Sequence, residues 1–288
     1  MPDISVRPTD AGDTPELVEV WRNSFGDSPD SVEEFLAAFL PDCGDGIAAL
    51  QDDAVVSSAF LLYGAQLLLP GQAPEPVTYM YSLGTLPHFR GQGLASAVTR
   101  ACVDFSRSRD SSATVLVPAG DSLRDYYRRF GFENCSLVRE ISYRDEDLSF
   151  GVRGEMTPVG FEEYGALREK LLAGTPHVRF PERFLSWQEH LCRESGGGML
   201  SLYGGEGLVC AELSDSTVAV KELLLPEGDC FAAASRIFAH FRDDSLADIS
   251  LRAPAFWPGS GEACPFAMAA PASRAPWADG LYWGFAFD

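Results

Sequence analysis

The order of apolar and polar residues in the first half of the chain predicts alternating helices and strands. Thr14 and Pro15 suit the start of a helix, and apolar side chains then recur at helical spacing as far as Phe25. A second helix is predicted over 32–40. Short apolar runs bounded by turn residues predict the next strands, with Gly64 as a bend between two of them: 4–8, 47–50, 54–62, 65–69 and 77–86.

A turn with two glycines follows the last of these strands. Arg90-Gly91-Gln92-Gly93 separates the strand from a helix that begins near Leu94 and is apolar on one face. An apolar strand without alternation, a capped helix and a closing strand are predicted at 114–117, 121–130 and 137–143. This order predicts an α/β fold.

The second half repeats the order of elements but not the residues. Two helices at 161–172 and 181–191 precede three strands at 199–203, 208–213 and 218–225. A helix from Phe231, a strand at 249–251 and a closing strand at 281–287 complete the repeat. We therefore predict two domains, 1–147 and 148–288. The second copy is shorter where the first has its glycines.

The net charge of the chain argues against some classes of binding partner. The chain has 288 residues, of which 46% are hydrophobic, so it can form real cores, and its formal net charge is −20. Nucleic acids and anionic membranes are bound through clustered Lys and Arg, so neither is an expected partner. An acidic surface does favour the approach of cationic amines.

Cysteine and histidine spacing gives no metal signal. The seven cysteines have no close pairs, and the four histidines have no ligand spacing, so reduced thiols and no metal are predicted. No basic, apolar leader and no run of 18 apolar residues is present, which predicts a cytoplasmic protein without a membrane span. The sequence carries no signal for an oligomeric state.

The glycine turn is suited to an anion. Gly91 and Gly93 let main-chain N–H groups approach a ligand, and the helix that follows adds unpaired donors and the positive end of its dipole. Arg90 can add a charge-assisted contact. A plain turn before a helix explains the same glycines. The Gly-Lys-Ser/Thr of a phosphate-binding Walker loop and the third glycine of a dinucleotide fingerprint are missing.

Residues 83–95 resemble the acetyl-CoA-binding motif of the GNAT superfamily of N-acetyltransferases. Arg90, Gly93 and Ala95 fill the family pattern Arg/Gln-x-x-Gly-x-Gly/Ala after a strand. Downstream, residues 126–132 are similar to the family element Tyr-x-x-x-Gly-Phe, with Tyr127 in register, at the usual separation. The resemblance covers residues 4–143, and the tandem order is similar to acetyltransferases of the enhanced-intracellular-survival type.

The resemblance implies a GNAT fold with a splayed mixed sheet, two tandem GNAT-like domains, and acetyl-CoA as the co-substrate. Because the second copy is shorter where the first has its glycines, we expect domain 148–288 to bind no coenzyme and to shape the acceptor site. The resemblance further implies that main-chain groups of the strand end contact pantetheine and that the loop and helix start hold the pyrophosphate. The residues expected to bind the coenzyme are Leu83, Gly84, Thr85, Arg90, Gly91, Gln92, Gly93, Leu94, Ala95 and Ser96.

The resemblance also assigns catalytic groups. Tyr127 matches the family tyrosine that protonates the thiolate of coenzyme A, and its alternative is a core aromatic residue; Tyr126 is the less favoured donor. Many relatives carry a carboxylate where this chain has Tyr81 and Ser82. The base must then be a water chain or a carboxylate from elsewhere, unless the acceptor arrives deprotonated. The terminal carboxylate of Asp288 is a candidate, because the terminal carboxylate reaches the active site in the enhanced-intracellular-survival type.

These observations predict an N-acetyltransferase that moves an acetyl group from acetyl-CoA to an amine of a small molecule or peptide in a ternary complex. A non-catalytic module that binds acyl-CoA is the alternative, because the strand carboxylate is missing. A longer acyl donor is also compatible with the sequence.

Overall fold

The computed structural model describes residues 4–149, 155–242, 245–257, 259, 261–271 and 280–287. Its helices are α1 (Thr14–Phe25), α2 (Pro29–Phe39), α3 (Leu94–Ser108), α4 (Arg124–Arg128), α5 (Phe161–Leu171), α6 (Glu182–Glu194) and α7 (Cys230–Phe241). Its strands are β1 (Ile4–Pro8), β2 (Gly44–Gln51), β3 (Ala54–Leu68), β4 (Glu75–Thr85), β5 (Ala113–Leu116), β6 (Glu133–Asn134), β7 (Leu137–Arg144), β8 (Met156–Pro158), β9 (His177–Arg179), β10 (Gly198–Leu202), β11 (Gly207–Ser214), β12 (Thr217–Leu224), β13 (Asp248–Pro254), β14 (Glu262–Pro265) and β15 (Met268–Pro271).

The chain forms two compact units. Unit 1 consists of Met1–Gln66, Pro74–Glu133 and Met268–Pro276, and unit 2 consists of Leu67–Ala73, Asn134–Ala267 and Trp277–Asp288. These units begin and end elsewhere than the predicted domains 1–147 and 148–288, because strands from each half of the sequence enter the sheet of the other. The predicted roles of the two domains stay predictions.

Unit 1 is built on a mixed sheet in the order β1-β2-β3-β4-β5-β15. Its β1–β2 and β2–β3 pairs are antiparallel, β4–β5 is parallel, and β15 is antiparallel to β5. On one face α3 buries Leu94, Val98 and Cys102 against the sheet. On the other face Trp21 of α1 and Phe35 of α2 pack on each other with ring centroids 4.8 Å apart. The mixed sheet between helices confirms the predicted α/β fold.

Unit 2 has a second mixed sheet, in the order β14-β7-β13-β12-β11-β10-β8. The β12–β13 pair is parallel, and the other neighbours are antiparallel. Its core is formed by the strands and the apolar face of α7, where Ala233, Ile237 and Phe238 are inaccessible to solvent. Two mixed sheets, each with its own core, agree with a tandem arrangement.

Three predicted elements differ from the structure. The bend at Gly64 is wrong, because β3 continues through this residue, which keeps the strand pairing with a positive φ of 98°. The predicted helix over 121–130 is a short 3-10 turn followed by the five-residue α4. The predicted closing strand at 281–287 is reduced to single bridges at Leu281 and Tyr282.

The predicted strand at 137–143 exists, but it lies in the sheet of unit 2, where β7 pairs with β13 and β14. In the first sheet, the strand that pairs with β5 on its other side is β15. Strand periodicity predicts which residues form a strand but not which strand it pairs with.

None of the helices among the described residues is long and apolar enough to span a bilayer. No group of three or more His, Cys, Asp or Glu side chains among the described residues is arranged to hold a metal ion.

Candidate active site

The turn between β4 and α3 has the backbone that its glycines predict. Gly91 and Gly93 have φ angles of 77° and 83°, in the left-handed region that other residues rarely adopt. Gly93 is also the N-cap of α3, and no side chain caps this end of the helix. The amide groups of the first turn of α3 therefore remain available to a ligand.

A cleft of about 320 Å³ opens in front of this helix start. It is lined by Thr85, Phe89, Arg90, Gly91, Gly93, Leu94, Ala95, Ser96 and Tyr126. Seven of the ten residues predicted to bind the coenzyme are among these, whereas Leu83, Gly84 and Gln92 are not. Gln92 instead donates a hydrogen bond from its side-chain amide to the carbonyl of His88, over 3.3 Å.

Arg90 is the one charged residue that lines the cleft. Its Nε donates to the carbonyl oxygen of Thr85 over 3.0 Å, and its Nη2 donates to the carbonyl oxygen of Asn23 over 3.3 Å. The guanidinium thus joins the end of β4 to the last turn of α1, which holds the loop in place. The sequence pattern predicted only a contact with phosphate.

The strand beside the cleft contains a β-bulge. Ser82 has a φ of 54°, which is a strained value for a residue other than glycine. Met80, before Ser82 in the chain, and Leu83, after it, both pack in the core cluster with α3. In an unbroken strand, positions 80 and 83 would point to opposite faces of the sheet. The bulge therefore changes which side chains face α3 beyond this point.

The bulge lies in the part of β4 that has already left its neighbour β5. The parallel pairing of β4 with β5 covers residues 77–79 and 113–115, whereas β4 runs on to Thr85 and β5 ends at Leu116. On the β5 side, the last part of β4 therefore has no paired strand among the described residues. An extended ligand can add itself to such a strand edge.

A comparison with protein families bears on this geometry. Residues 5–135 match a family model described as an acetyltransferase (GNAT) domain. Residues 5–135 are a GNAT acetyltransferase domain. The resemblance of the loop and the tyrosine motif to this superfamily is thereby confirmed.

Solved structures share the fold of the chain beyond this domain. A GNAT N-acetyltransferase from Kribbella flavida is 19% identical, with a TM-score of 0.68, and the match covers 93% of this chain and 71% of that one. A conserved protein from Enterococcus faecalis is 17% identical, with a TM-score of 0.70, over 93% and 72% of the two chains. Eis1 from Mycobacterium abscessus is 14% identical, with a TM-score of 0.64, over 93% and 73%. Among curated proteins, no relative matches the chain.

Gly84 of the GNAT domain is explained by packing. A Cβ built at this residue would lie 2.5 Å from the Oγ of Ser24 and 3.2 Å from Cγ1 of Val20, so α1 approaches β4 too closely for a side chain. The carbonyl oxygen of Gly84 accepts a hydrogen bond from Ser57 Oγ over 2.7 Å. Sequence reasoning assigned this glycine only to the coenzyme.

Tyr127 lies in the core cluster of the GNAT domain and is 8% exposed. Burial, with a smaller contribution from Tyr126 and Cys102, raises the pKa of its hydroxyl well above the ordinary value of 10. The hydroxyl therefore stays protonated at neutral pH. A proton donor for a basic thiolate needs this property, but the same position also suits a core aromatic residue.

Tyr126 reaches the cleft, which the sequence had not favoured. It lines the cleft beside the glycines, and its hydroxyl lies 3.2 Å from Oγ1 of Thr99 on α3. Its ring packs on Phe130 with a centroid distance of 5.1 Å. The predicted helix over 121–130 would have put Tyr126 and Phe130 on one face, whereas α4 itself ends at Arg128.

Among the described residues, those that line the cleft include no carboxylate. Ser82, at the position where many relatives carry one, has a buried hydroxyl without a hydrogen-bond partner in the described part of the chain. Asp288, the other predicted catalytic residue, lies outside the described residues. The structure describes the chain up to Phe287, and residues 281–287 are buried.

Proposed function

We propose that this protein is an N-acetyltransferase that uses acetyl-CoA to acetylate an amine of a small molecule or peptide. The supporting observation is the uncapped start of α3, which opens to the cleft between Gly91 and Ser96 within a GNAT acetyltransferase domain. A helix start with free amide groups and two left-handed glycines is suited to a diphosphate. Acetyl-CoA supplies that diphosphate together with an activated acetyl group.

The coenzyme would lie along two elements. The diphosphate accepts hydrogen bonds from the main chain of residues 91–96, with the positive end of the α3 dipole behind them. The pantetheine arm then follows β4 past Thr85 toward the bulge at Ser82, where β4 no longer pairs with β5. This path brings the thioester to the region where α3 and α4 contribute the Tyr127 core.

The reaction would proceed by direct attack in a ternary complex. The lone pair of the acceptor amine forms a bond with the carbonyl carbon, and the bond from this carbon to sulfur breaks with its electron pair leaving on the thiolate. Tyr127 donates its proton to the sulfur, and the proton lost by the amine must pass to a base. A water chain at Ser82 or the carboxylate of Asp288 can take that role, and an acceptor that arrives deprotonated needs no base before the attack.

Calorimetry and a turnover assay test this function in sequence. Calorimetry with acetyl-CoA should show binding to a single site, and coenzyme A should compete for it. Free thiol should then appear with acetyl-CoA and a panel of primary amines, at a rate that depends on the amine. No binding of acetyl-CoA would contradict the proposal as a whole.

A second function has an observation in its favour, because no carboxylate that could act as a base lines the cleft in the part of the chain that the structure describes. A module that binds acyl-CoA without turnover would have the same glycine loop. Tight binding of acetyl-CoA with no thiol release across the amine panel would support that alternative and would exclude the transferase.

A further inference from the structure

The described arginines of unit 1 fall into two groups. Those in the first group each form an ion pair with a carboxylate: Arg7, Arg107, Arg109, Arg124 and Arg128. The others are exposed and have no carboxylate within ion-pair distance among the described residues: Arg22, Arg90, Arg100 and Arg129. Within this second group, Arg100 and Arg129 each lie over an aromatic ring.

Arg100 and Arg129 each pack on an aromatic ring, and these rings connect the two arginines to the cleft. The guanidinium of Arg129 lies 4.9 Å from the ring centroid of Tyr126, which lines the cleft. The guanidinium of Arg100 lies 5.2 Å from the ring centroid of Phe130, whose ring packs on Tyr126. We call Arg100, Tyr126, Arg129 and Phe130 the arginine patch.

The helix places the patch next to the predicted diphosphate. Ser96 lines the cleft in the first turn of α3, and Arg100 is four residues later, on the same face of the helix. A ligand whose diphosphate sits at the start of α3 therefore has the Arg100 guanidinium about one helical turn away.

The contacts of the patch fix the guanidinium groups and leave donors free. A ring supports one face of each guanidinium, whereas its N–H groups lie in the guanidinium plane and point away from the ring face. Arg129 uses its Nε to donate to the carbonyl oxygen of Tyr126 over 3.3 Å, which leaves its terminal nitrogens. Planar guanidinium groups with free donors match the oxygens of a phosphate. The lysines of the chain, Lys170 and Lys221, both belong to unit 2.

We propose that Arg100 and Arg129 bind the 3′-phosphate of coenzyme A and make the domain selective for the 3′-phosphorylated coenzyme. This inference rests on the proposed function, because it takes the diphosphate to lie at the start of α3. The coenzyme carries a third phosphate on the ribose beside its diphosphate. Arg100 on α3 and Arg129 at the end of α4 would supply counter-charge for this third phosphate, in addition to Arg90 in the cleft itself.

Binding of coenzyme A and of 3′-dephospho-coenzyme A by calorimetry tests the assignment. The wild-type protein should bind coenzyme A about tenfold or more tightly than the dephospho form, the ratio expected for hydrogen bonds to a charged group. Arg100→Ala and Arg129→Ala should each reduce this ratio, and the double variant should bring it close to one. The affinity for the dephospho form should stay unchanged in all three.

Arg128→Ala is the matched control, because Arg128 is an exposed neighbour of Arg129 on the same turn but is paired with Asp125. This variant should keep the wild-type ratio. Equal affinities of the wild-type protein for the two coenzymes would overturn the assignment without any variant. An equal loss of both affinities in the arginine variants would also overturn it, since that result indicates an effect on the loop. If the wild-type protein binds neither coenzyme, the proposed function itself fails.

Discussion

At the residue scale, the proposed role of the buried Tyr127 hydroxyl as the general acid can be tested, with its neighbour Tyr126 as the comparison. Tyr127→Phe should lower kcat about a hundredfold and leave KM for acetyl-CoA nearly unchanged, because a general acid acts only in the chemical step. Tyr126→Phe should retain kcat, since its hydroxyl is next to Thr99. Steady-state kinetics with one acceptor amine gives both values. Similar kcat values for the two variants would show that Tyr127 is a core residue only.

The pH profile gives an independent test of Tyr127. A general acid must be protonated, and burial raises the pKa of Tyr127 above 10, so its ionisation should remove no activity below about pH 10. Activity should therefore rise as the acceptor amine deprotonates and then stay level at alkaline pH. A decline of kcat with an apparent pKa well below 10, present in the wild-type protein and absent in Tyr127→Phe, would contradict the buried environment assigned to this residue.

Two glycines with the same φ angle allow the effect of a substitution on stability to be distinguished from its effect on coenzyme binding. Gly91 in the loop and Gly71 in a turn both have a φ of 77°, and a Cβ at either would meet nothing within 4 Å. Substitution by Ala should cost each about 1 kcal/mol of unfolding free energy, because both residues would be held in the left-handed region. Only Gly91→Ala should also weaken acetyl-CoA binding, by about tenfold, since only Gly91 lines the cleft.

Chemical denaturation and calorimetry on the two variants measure these quantities. Equal effects of Gly91→Ala and Gly71→Ala on coenzyme affinity would remove the loop from the binding site.

At the element scale, the contact between α1 and β4 depends on Gly84. Gly84→Ala should cost about 2 kcal/mol of unfolding free energy, because the new Cβ would overlap Ser24. The same substitution in a Ser24→Ala background should cost about 1 kcal/mol less, since the nearest atom, Oγ, is then gone. Gly120→Ala is the control, because a Cβ there meets nothing within 4 Å and the backbone is extended. Additive effects of Gly84→Ala and Ser24→Ala would refute the overlap.

Much of the element order could be predicted from periodicity, but the pairing of strands could not. The helix from Thr14, the loop at Arg90 and the strand 77–86 are encoded by residues close together in sequence. The places of β7 and β15 depend on contacts between residues more than 100 positions apart, for which no local pattern exists.

In the candidate site, too, some features could be predicted from the local sequence and others could not. The left-handed glycines at 91 and 93 were predictable, because a turn that presents main-chain amides to an anion requires them. The bulge at Ser82 was not, since serine has no special preference for a positive φ and the neighbouring strands impose it. The role of Arg90 was also missed, because its partners are the carbonyl groups of Thr85 and Asn23, which carry no sequence signal.

At the scale of the whole molecule, each unit has its own sheet and core, and unit 2 contains a buried ion pair. Arg168 and Glu222 are almost inaccessible, and Nε of Arg168 lies 3.1 Å from both carboxylate oxygens of Glu222. Tyr164 donates a hydrogen bond to Glu222 over 2.6 Å, and Arg168 donates to the carbonyl of Val178 over 2.7 Å. The pair thus joins α5, β12 and β9. A Cβ at Gly284 would lie 2.7 Å from both charged groups.

Removing one charge of this pair should destabilise the protein far more than breaking an exposed pair. Glu222→Gln should cost about 3–5 kcal/mol of unfolding free energy, because the buried Arg168 guanidinium loses its nearest counter-charge and keeps the more distant Glu169, whose Oε1 lies 3.8 Å from Nη1. Arg179→Met breaks the exposed Arg179–Glu169 pair, with 2.7 Å between Nε and Oε2, and should cost less than about 1 kcal/mol. The double variant Arg168→Met/Glu222→Leu should recover much of the loss, because no unpaired charge then remains in the core. Urea denaturation of the four proteins measures these differences, and a Glu222→Gln value near that of Arg179→Met would mean that water reaches the pair.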